Sequence, residues 1–319
     1  MSSNWLEAGP AANRKGQILT GKQSDQGETS VLVTGSSSGF GEVIVKTLAG
    51  HGYHVFATMR DVCGRNRDAA QALMSWAQTN DASLEVVEMD VADDGSVESA
   101  ISSILEAGQR IDVVVNNAGI AAAGPLEAFD TAQMAHLLNI NAIGPMRVDK
   151  AVLPHMRARG SGLLLHVSST LGRVLPGGGG LYPASKWALE GLAESLLYQV
   201  AAFGVDVVIL EPGSFPTPAT SRAMLPASEA IAQEYAAAGA GVRRAVEPGP
   251  DYVLPDLQEI GDAVLDIIQT PSGGRRMRYV TGPIFTEGVD EFNQEYEATK
   301  LRLIEVLRRP DQAITWGRR

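Results

Sequence analysis

Cysteine is nearly absent from this 319-residue chain: Cys63 stands alone, which excludes an internal disulfide and a cysteine-rich metal site. Histidine is scarce as well. His51, His54, His136 and His155 show no His-x-x-x-His spacing, so no metal is expected. Positive charge is outnumbered, with 26 Lys and Arg against 37 Asp and Glu and a net charge of −11. That balance argues against nucleic acid as a main partner, because phosphate binding wants a basic surface. No apolar run approaches the roughly 20 residues of a membrane-spanning helix. The N-terminus also lacks the basic-then-apolar pattern of a signal peptide. What is present is 45% hydrophobic residues, enough for one sizeable core. The expectation is an acidic globular protein of the cytoplasm with no membrane partner.

The chain divides by pattern. Residues 1–29 are polar, rich in Gly, Ser and Gln, and read as a flexible leader, with Trp5 and Leu6 available to anchor it to a neighbour. From residue 30 short apolar runs alternate with helical stretches. The runs fall at 31–34, 54–58, 84–89, 112–116, 162–168, 205–211 and 277–281. The helices are expected near 39–50, 67–78, 94–108, 131–159, 182–203 and 256–268. Continuous apolar strands are buried on both faces, the mark of a parallel sheet. Repeated strand–helix alternation then predicts a doubly wound α/β fold of the Rossmann type with about seven strands. The catalytic domain is placed at 30–285, with a long insertion at 215–255 after the sixth strand. A charged helical extension occupies 286–319. Ligands of such sheets bind at the carboxyl ends of the strands.

The residues that carry chemistry lie at those ends. Tyr182-Pro-Ala-Ser-Lys186 puts a phenol and an ammonium one helical turn apart. A nearby positive charge favours a phenolate, so the pair reads as a proton-transfer device, against the plainer reading of a half-buried tyrosine beside a solvated lysine. After the first strand, Thr34-Gly35-Ser36-Ser37-Ser38-Gly39-Phe40-Gly41 opens a helix. Glycines there allow a tight turn, and the helix N-terminus offers amides to a pyrophosphate. The second strand ends at Met59-Arg60, where an acidic residue would hold a free ribose 2′-hydroxyl. Arg60 suits a 2′-phosphate instead, so NADP(H) is favoured over NAD(H); the competing reading is a surface arginine paired with Asp61. Asp90 and Val91 end the third strand and are assigned to the adenine, the alternative being a turn aspartate. Asn117, Ala118 and Gly119 end the fourth and are placed at the cofactor, with Asn116 structural.

Together these motifs resemble the short-chain dehydrogenase/reductase family in its compact single-domain branch, over residues 30 to about 285. Asn141-Ala-Ile-Gly144, Ser169 with Gly172, and Pro212-Gly213 followed by Thr217 complete the ordered set. The resemblance implies a catalytic serine thirteen residues before the tyrosine, which selects Ser169 over its neighbour Ser168. It gives Asn141 a helix kink and a water beside the lysine. Lys186 would hold the nicotinamide ribose, Thr217 would orient the carboxamide, and Pro212 and Gly213 would line the cofactor. His166 reads as a core histidine.

The implied reaction interconverts a ketone or aldehyde and an alcohol by hydride transfer, with Tyr182 as general acid and base. Ser169 would bond the reacting oxygen. The insertion carries Met224, Leu225, Tyr235 and Tyr252 as candidate walls, and the mobile-looking Gly177–Gly180 run precedes the tyrosine. A bulky hydroxysteroid- or retinol-like alcohol is the second substrate reading. A non-catalytic dinucleotide sensor or scaffold is the reading from another class. By resemblance the assembly is a homodimer or homotetramer.

Overall fold

The structure is a computed structural model; it describes residues 18–20, 29–175, 180–239, 255–283 and 286–306. Eight strands form one sheet: β1 Ile18–Thr20, β2 Ser30–Thr34, β3 His54–Met59, β4 Leu84–Glu88, β5 Val113–Asn116, β6 Gly162–Val167, β7 Val205–Pro212 and β8 Arg278–Thr281. Their order is β1-β4-β3-β2-β5-β6-β7-β8. Strands β2 to β8 are parallel, as their apolar runs predict. Strand β1 is the exception. It pairs antiparallel with β4, Leu19 opposite Val86, inside a stretch expected to be an unstructured leader. An edge strand offers unpaired amides and carbonyls, and β1 covers those of β4.

Ten helices fill the crossovers among the described residues: α1 Gly39–Gly50, α2 Arg67–Thr79, α3 Asp94–Glu106, α4 Thr131–Leu138, α5 Gly144–Arg159, α6 Leu181–Val200, α7 Pro218–Ser221, α8 Glu229–Ala237, α9 Gln258–Gln269 and α10 Thr286–Val306. Alternation along each strand feeds two cores. Val31, Val33, Val55 and Val115 meet Ile44 and Leu48 of α1, Leu73 of α2 and Val264 of α9 on one face. Leu32, Phe56, Val114 and Leu164 meet Ile101 of α3, Val152 of α5 and Leu197 of α6 on the other. Polar caps start α3 and α4: Asp93 accepts from Ser96 N at 2.6 Å ahead of α3, and Asp130 with Gln133 forms a reciprocal capping box at α4.

The helix expected over 131–159 is broken. Between α4 and α5 the chain makes a π-helical turn, Asn139–Ile143, with Asn141 at its middle. Such turns are rare and concentrate at functional sites. The strand order reverses between β2 and β5, so the sheet's switch-point crevice opens at the carboxyl ends of these two strands.

Candidate active site

The glycine-rich turn rises from β2 into this crevice. Gly35 has φ +71°, and a Cβ there would stand 2.8 Å from the backbone of Ala118. A Cβ on Gly41 would lie 2.3 Å from Gly35 O, so the turn closes only with glycine at both places. Thr34, 1% exposed, anchors it. Its hydroxyl accepts from Asn117 N at 3.0 Å and Ala118 N at 2.9 Å. Asn117 returns the contact, its side-chain amide donating to Thr34 O and Gly35 O. The side chain placed at the cofactor is thus consumed in holding β2 to β5, a structural role the sequence reading gave to Asn116. Ser38 precedes α1 in extended backbone and makes no capping bond, leaving the first-turn amides free for an anion. Phe40 packs edge-on against Phe215, ring centroids 5.4 Å apart. A Cβ on Gly39 would sit 3.8 Å from Thr217 Cβ, so the loop after β7 reaches across the turn. Gly213 N donates to Thr281 O at 2.8 Å, extending the β7–β8 pairing beyond Pro212.

At the neighbouring strand ends Arg60 faces Asp90 rather than Asp61, with N and O 3.8 Å apart and both side chains partly exposed. Asp90 also accepts from Ala92 N. Val91, assigned to the adenine, packs inward against Gly144 instead of standing open.

The four residues singled out for proton transfer converge. Lys186, 5% exposed, donates to Val167 O at 2.8 Å, and its nitrogen lies 5.9 Å from the centre of the Tyr182 ring. The Ser169 hydroxyl hydrogen-bonds the phenol and caps the short turn that follows it by accepting from Leu171 N. Asn141 accepts from Ile120 N at 2.9 Å and donates to Ile120 O and to Ser185 Oγ. The π turn therefore aims one amide at both the β5 loop and α6. Ser185, which the sequence reading passed over, donates to Tyr182 O and joins Asn141 to the helix start. Its place three residues after the tyrosine is the only signal it offers.

One electrostatic expectation fails. Burial pushes the Tyr182 phenol above its ordinary value, the bond from Ser169 pulling the other way. Lys186 does not lower it here because its ammonium points at a carbonyl, 5.9 Å from the ring centre. Burial also brings Lys186 itself down to about 8, with Glu190 opposing.

Beneath the site His166 lies in the core, as expected, with its Nε2 3.3 Å from Asp149 Oδ2. Burial holds both neutral: Asp149 is pushed up to about 8, against the bond from Asn116, and His166 down to about 3. A protonated carboxyl donating to the imidazole supplies a partner for two atoms that otherwise have none.

The insertion after β7 docks on the loop after β5. Met224 N donates to Ala121 O at 2.8 Å, and Ala123 N donates back to Met224 O. Gln133 at the start of α4 donates to Leu225 O and accepts from Ala227 N. Met224 joins Phe129, Leu137 and Leu181, the last adjacent to Tyr182. Two other expected walls do not line this patch: Leu225 is 70% exposed, and Tyr235 donates its hydroxyl to Glu127. Tyr252 and residues 177–179 lie outside the described residues.

A family model for short chain dehydrogenases matches residues 29–226. The chain belongs to the short-chain dehydrogenase/reductase family. Over 194 residues it is 40% identical to human 17-beta-hydroxysteroid dehydrogenase type 1, covering 59% of this chain and 57% of that protein. Over 191 residues it is 38% identical to bovine retinol dehydrogenase 8, covering 59% of each. The chain thus spans less than three fifths of the length of either relative. Among solved structures, an alcohol dehydrogenase from the archaeon Thermococcus sibiricus complexed with 5-hydroxy-NADP superposes with a TM-score of 0.64 at 26% identity, covering 81% of this chain and 97% of that one. Among the described residues no helix is long and apolar enough to cross a membrane, and no group of three His, Cys, Asp or Glu side chains is placed to hold a metal.

Proposed function

We propose that this short-chain dehydrogenase/reductase interconverts a carbonyl compound and an alcohol with NADP(H), using Tyr182 as general acid and base. The observation that carries the reading is the convergence of Ser169, Tyr182, Lys186 and Asn141 beside an uncapped, glycine-cradled helix N-terminus. The residues present fit a dinucleotide: the α1 amides and the Gly35–Gly41 turn for the pyrophosphate, Ala118 and Gly119 for the adenosine ribose, Asp90 for the adenine and Arg60 for a 2′-phosphate. When bound, that group supplies or accepts the hydride at the substrate carbon.

The chain's own residues do the rest. Ser169 bonds the reacting oxygen, orienting it toward Tyr182. In reduction the phenol gives its proton to that oxygen, and a raised phenol pKa keeps the proton in place until the oxygen becomes basic. Lys186, beside the ring, holds the nicotinamide ribose, the part the family resemblance gives it. Asn141 holds the β5 loop and α6 in register through Ile120 and Ser185.

NADP over NAD rests on Arg60, whose exposed pairing with Asp90 at 3.8 Å is weak enough to exchange for a phosphate. A bulky apolar substrate is favoured by the Met224–Phe129–Leu181 patch and by the hydroxysteroid and retinol relatives. The complete four-residue set speaks against a non-catalytic sensor. We further propose a homo-oligomer, supported by exposed Ile143, Trp187 and Leu192 along the α5–α6 side. The test is oxidation of NADPH and NADH with a panel running from short ketones to steroid ketones and retinal. We expect faster turnover with NADPH and rising kcat/KM with apolar bulk; equal rates with both dinucleotides would remove the role given to Arg60.

A further inference from the structure

Behind Lys186 lies a second set of charges that the proposed chemistry does not use. Arg278, at the start of β8, is 6% exposed and is ringed by carboxylates. Its guanidinium meets Glu190 at 2.9 Å and Glu194 at 2.9 Å, both on α6, then Glu211 of β7 at 3.3 Å and Glu297 of α10 at 3.4 Å. Lys300 of α10 bridges Glu194 at 2.9 Å and Glu297 at 2.6 Å. Asn293 of α10 donates to Glu211 at 2.7 Å and accepts from Arg173, the residue after Gly172, at 2.8 Å. Helix α10 is thus wired into the turn that carries Ser169.

Glu190 stands one helical turn beyond Lys186 on the same face of α6. A Cβ on Gly172 would lie 2.8 Å from Ser168 Oγ, 3.2 Å from Glu190 Cγ and 3.3 Å from Lys186 Cβ, so these groups pack as one unit. The groups facing Lys186 come from every side. Strand β6 gives the Val167 carbonyl and neutral His166. The turn after it gives Ser168 and Ser169, the π turn Asn141, and α6 Tyr182, Ser185 and Glu190. Asp149 of α5 lies behind His166, while Glu211 and Arg278 lie behind Glu190. Burial pushes the Asp149 carboxyl up to about 8, and burial together with the neighbouring Glu190 pushes Glu211 up as well. Glu190, paired with Arg278 at 2.9 Å, is the acidic group that acts on Lys186 from within α6.

We propose that Glu190 is a positioning residue for proton transfer, the counter-charge of Lys186, and that Arg278 and helix α10 hold it in place. The proposal rests on the reading of Tyr182 and Lys186 as the proton-transfer pair. The chain has six lysines, so each ammonium can be followed by NMR on protein carrying isotope-labelled lysine, without cofactor. In Glu190→Gln the Lys186 titration midpoint is expected to fall by about one pH unit. The corresponding limb of the pH profile of kcat/KM moves the same way. Glu194→Gln touches Arg278 and Lys300 but not Lys186, and should leave the midpoint where it is. Should Glu190→Gln not fold, the double variant Glu190→Gln, Arg278→Met removes both partners of the pair and is expected to shift the midpoint downward as well. An unmoved midpoint in folded Glu190→Gln, or an equal shift in Glu194→Gln, would overturn the proposal. Failure of the underlying reading shows separately: Tyr182→Phe would then keep full activity while the lysine titration still reported Glu190.

Discussion

The two rims of the crevice are held in opposite ways. The rim proposed for the cofactor is locked from within: Thr34, 1% exposed, accepts from two backbone amides, and Gly35 and Gly41 leave no room for a Cβ. The rim proposed for the substrate is latched from outside, by Gln133 and Tyr235 on solvent-facing surface and by one bridge at Ala122 and Met224. A ligand shared by many enzymes calls for a fixed cradle. A variable substrate is served by a flap whose attachments are individually weak, because exposed hydrogen bonds compete with water.

Breaking the inner lock should cost the fold most. Thr34→Val leaves the Ala118 amide without its acceptor and the Asn117 amide with Val115 O alone, a loss of about 1–3 kcal/mol. Urea unfolding should show the lower stability, and NADPH affinity should fall with it. Charge at the rim's outer end comes next. Arg60→Ala forfeits a charge-assisted bond of about 1.5–3 kcal/mol, so kcat/KM with NADPH should drop roughly tenfold or more while NADH is unchanged. Thermal unfolding should not respond, since the pair with Asp90 is exposed.

The floor between the rims has a pH signature. Unfolded, Asp149 titrates near 3.8 and His166 near 6.5; folded, they titrate near 8 and near 3. Between about 4 and 6.5 each state of the pair holds one proton, so its contribution to stability is flat. From 6.5 to 8 the folded pair keeps a proton that the unfolded pair has lost, and stability falls as pH rises. Asp149→Asn should remove this part of the fall between pH 6.5 and 8 in denaturation curves, leaving the part that the raised Glu211 contributes. The smallest effect is expected at the outer latch. Gln133→Ala removes two exposed bonds to the insertion and the return bond of the α4 capping box, about 1–2 kcal/mol together, raising KM for the carbonyl substrate a few-fold and leaving KM for NADPH alone.

The seven parallel strands and the meeting of Ser169, Tyr182 and Lys186 were legible because their signals are local: apolar runs and short spacings. What escaped depends on contacts distant in sequence. The kink at Asn141 came from the resemblance; its form, a π turn over Asn139–Ile143 with Asn141 bonding Ile120, is what helical periodicity does not register. Strand β1 exists through β4, not through its own composition. Glu211 and Arg278 fall in expected strand runs and Glu190 on an expected helix, but only the pairing of β7 with β8 beside α6 brings the three into one buried cluster. The side chain of Asn117, placed at the cofactor from sequence, also ties β5 to the turn after β2 through Thr34 O and Gly35 O, a contact that no local spacing announces.

Both rims matter only if the phenol between them moves a proton. Single-turnover reduction of a responsive ketone by NADPH should therefore be compared in wild type and Tyr182→Phe, with dinucleotide binding checked in each. We expect unchanged NADPH affinity and a rate lower by about 10²–10⁴ in the variant. A rate equal to wild type would contradict the role assigned to Tyr182.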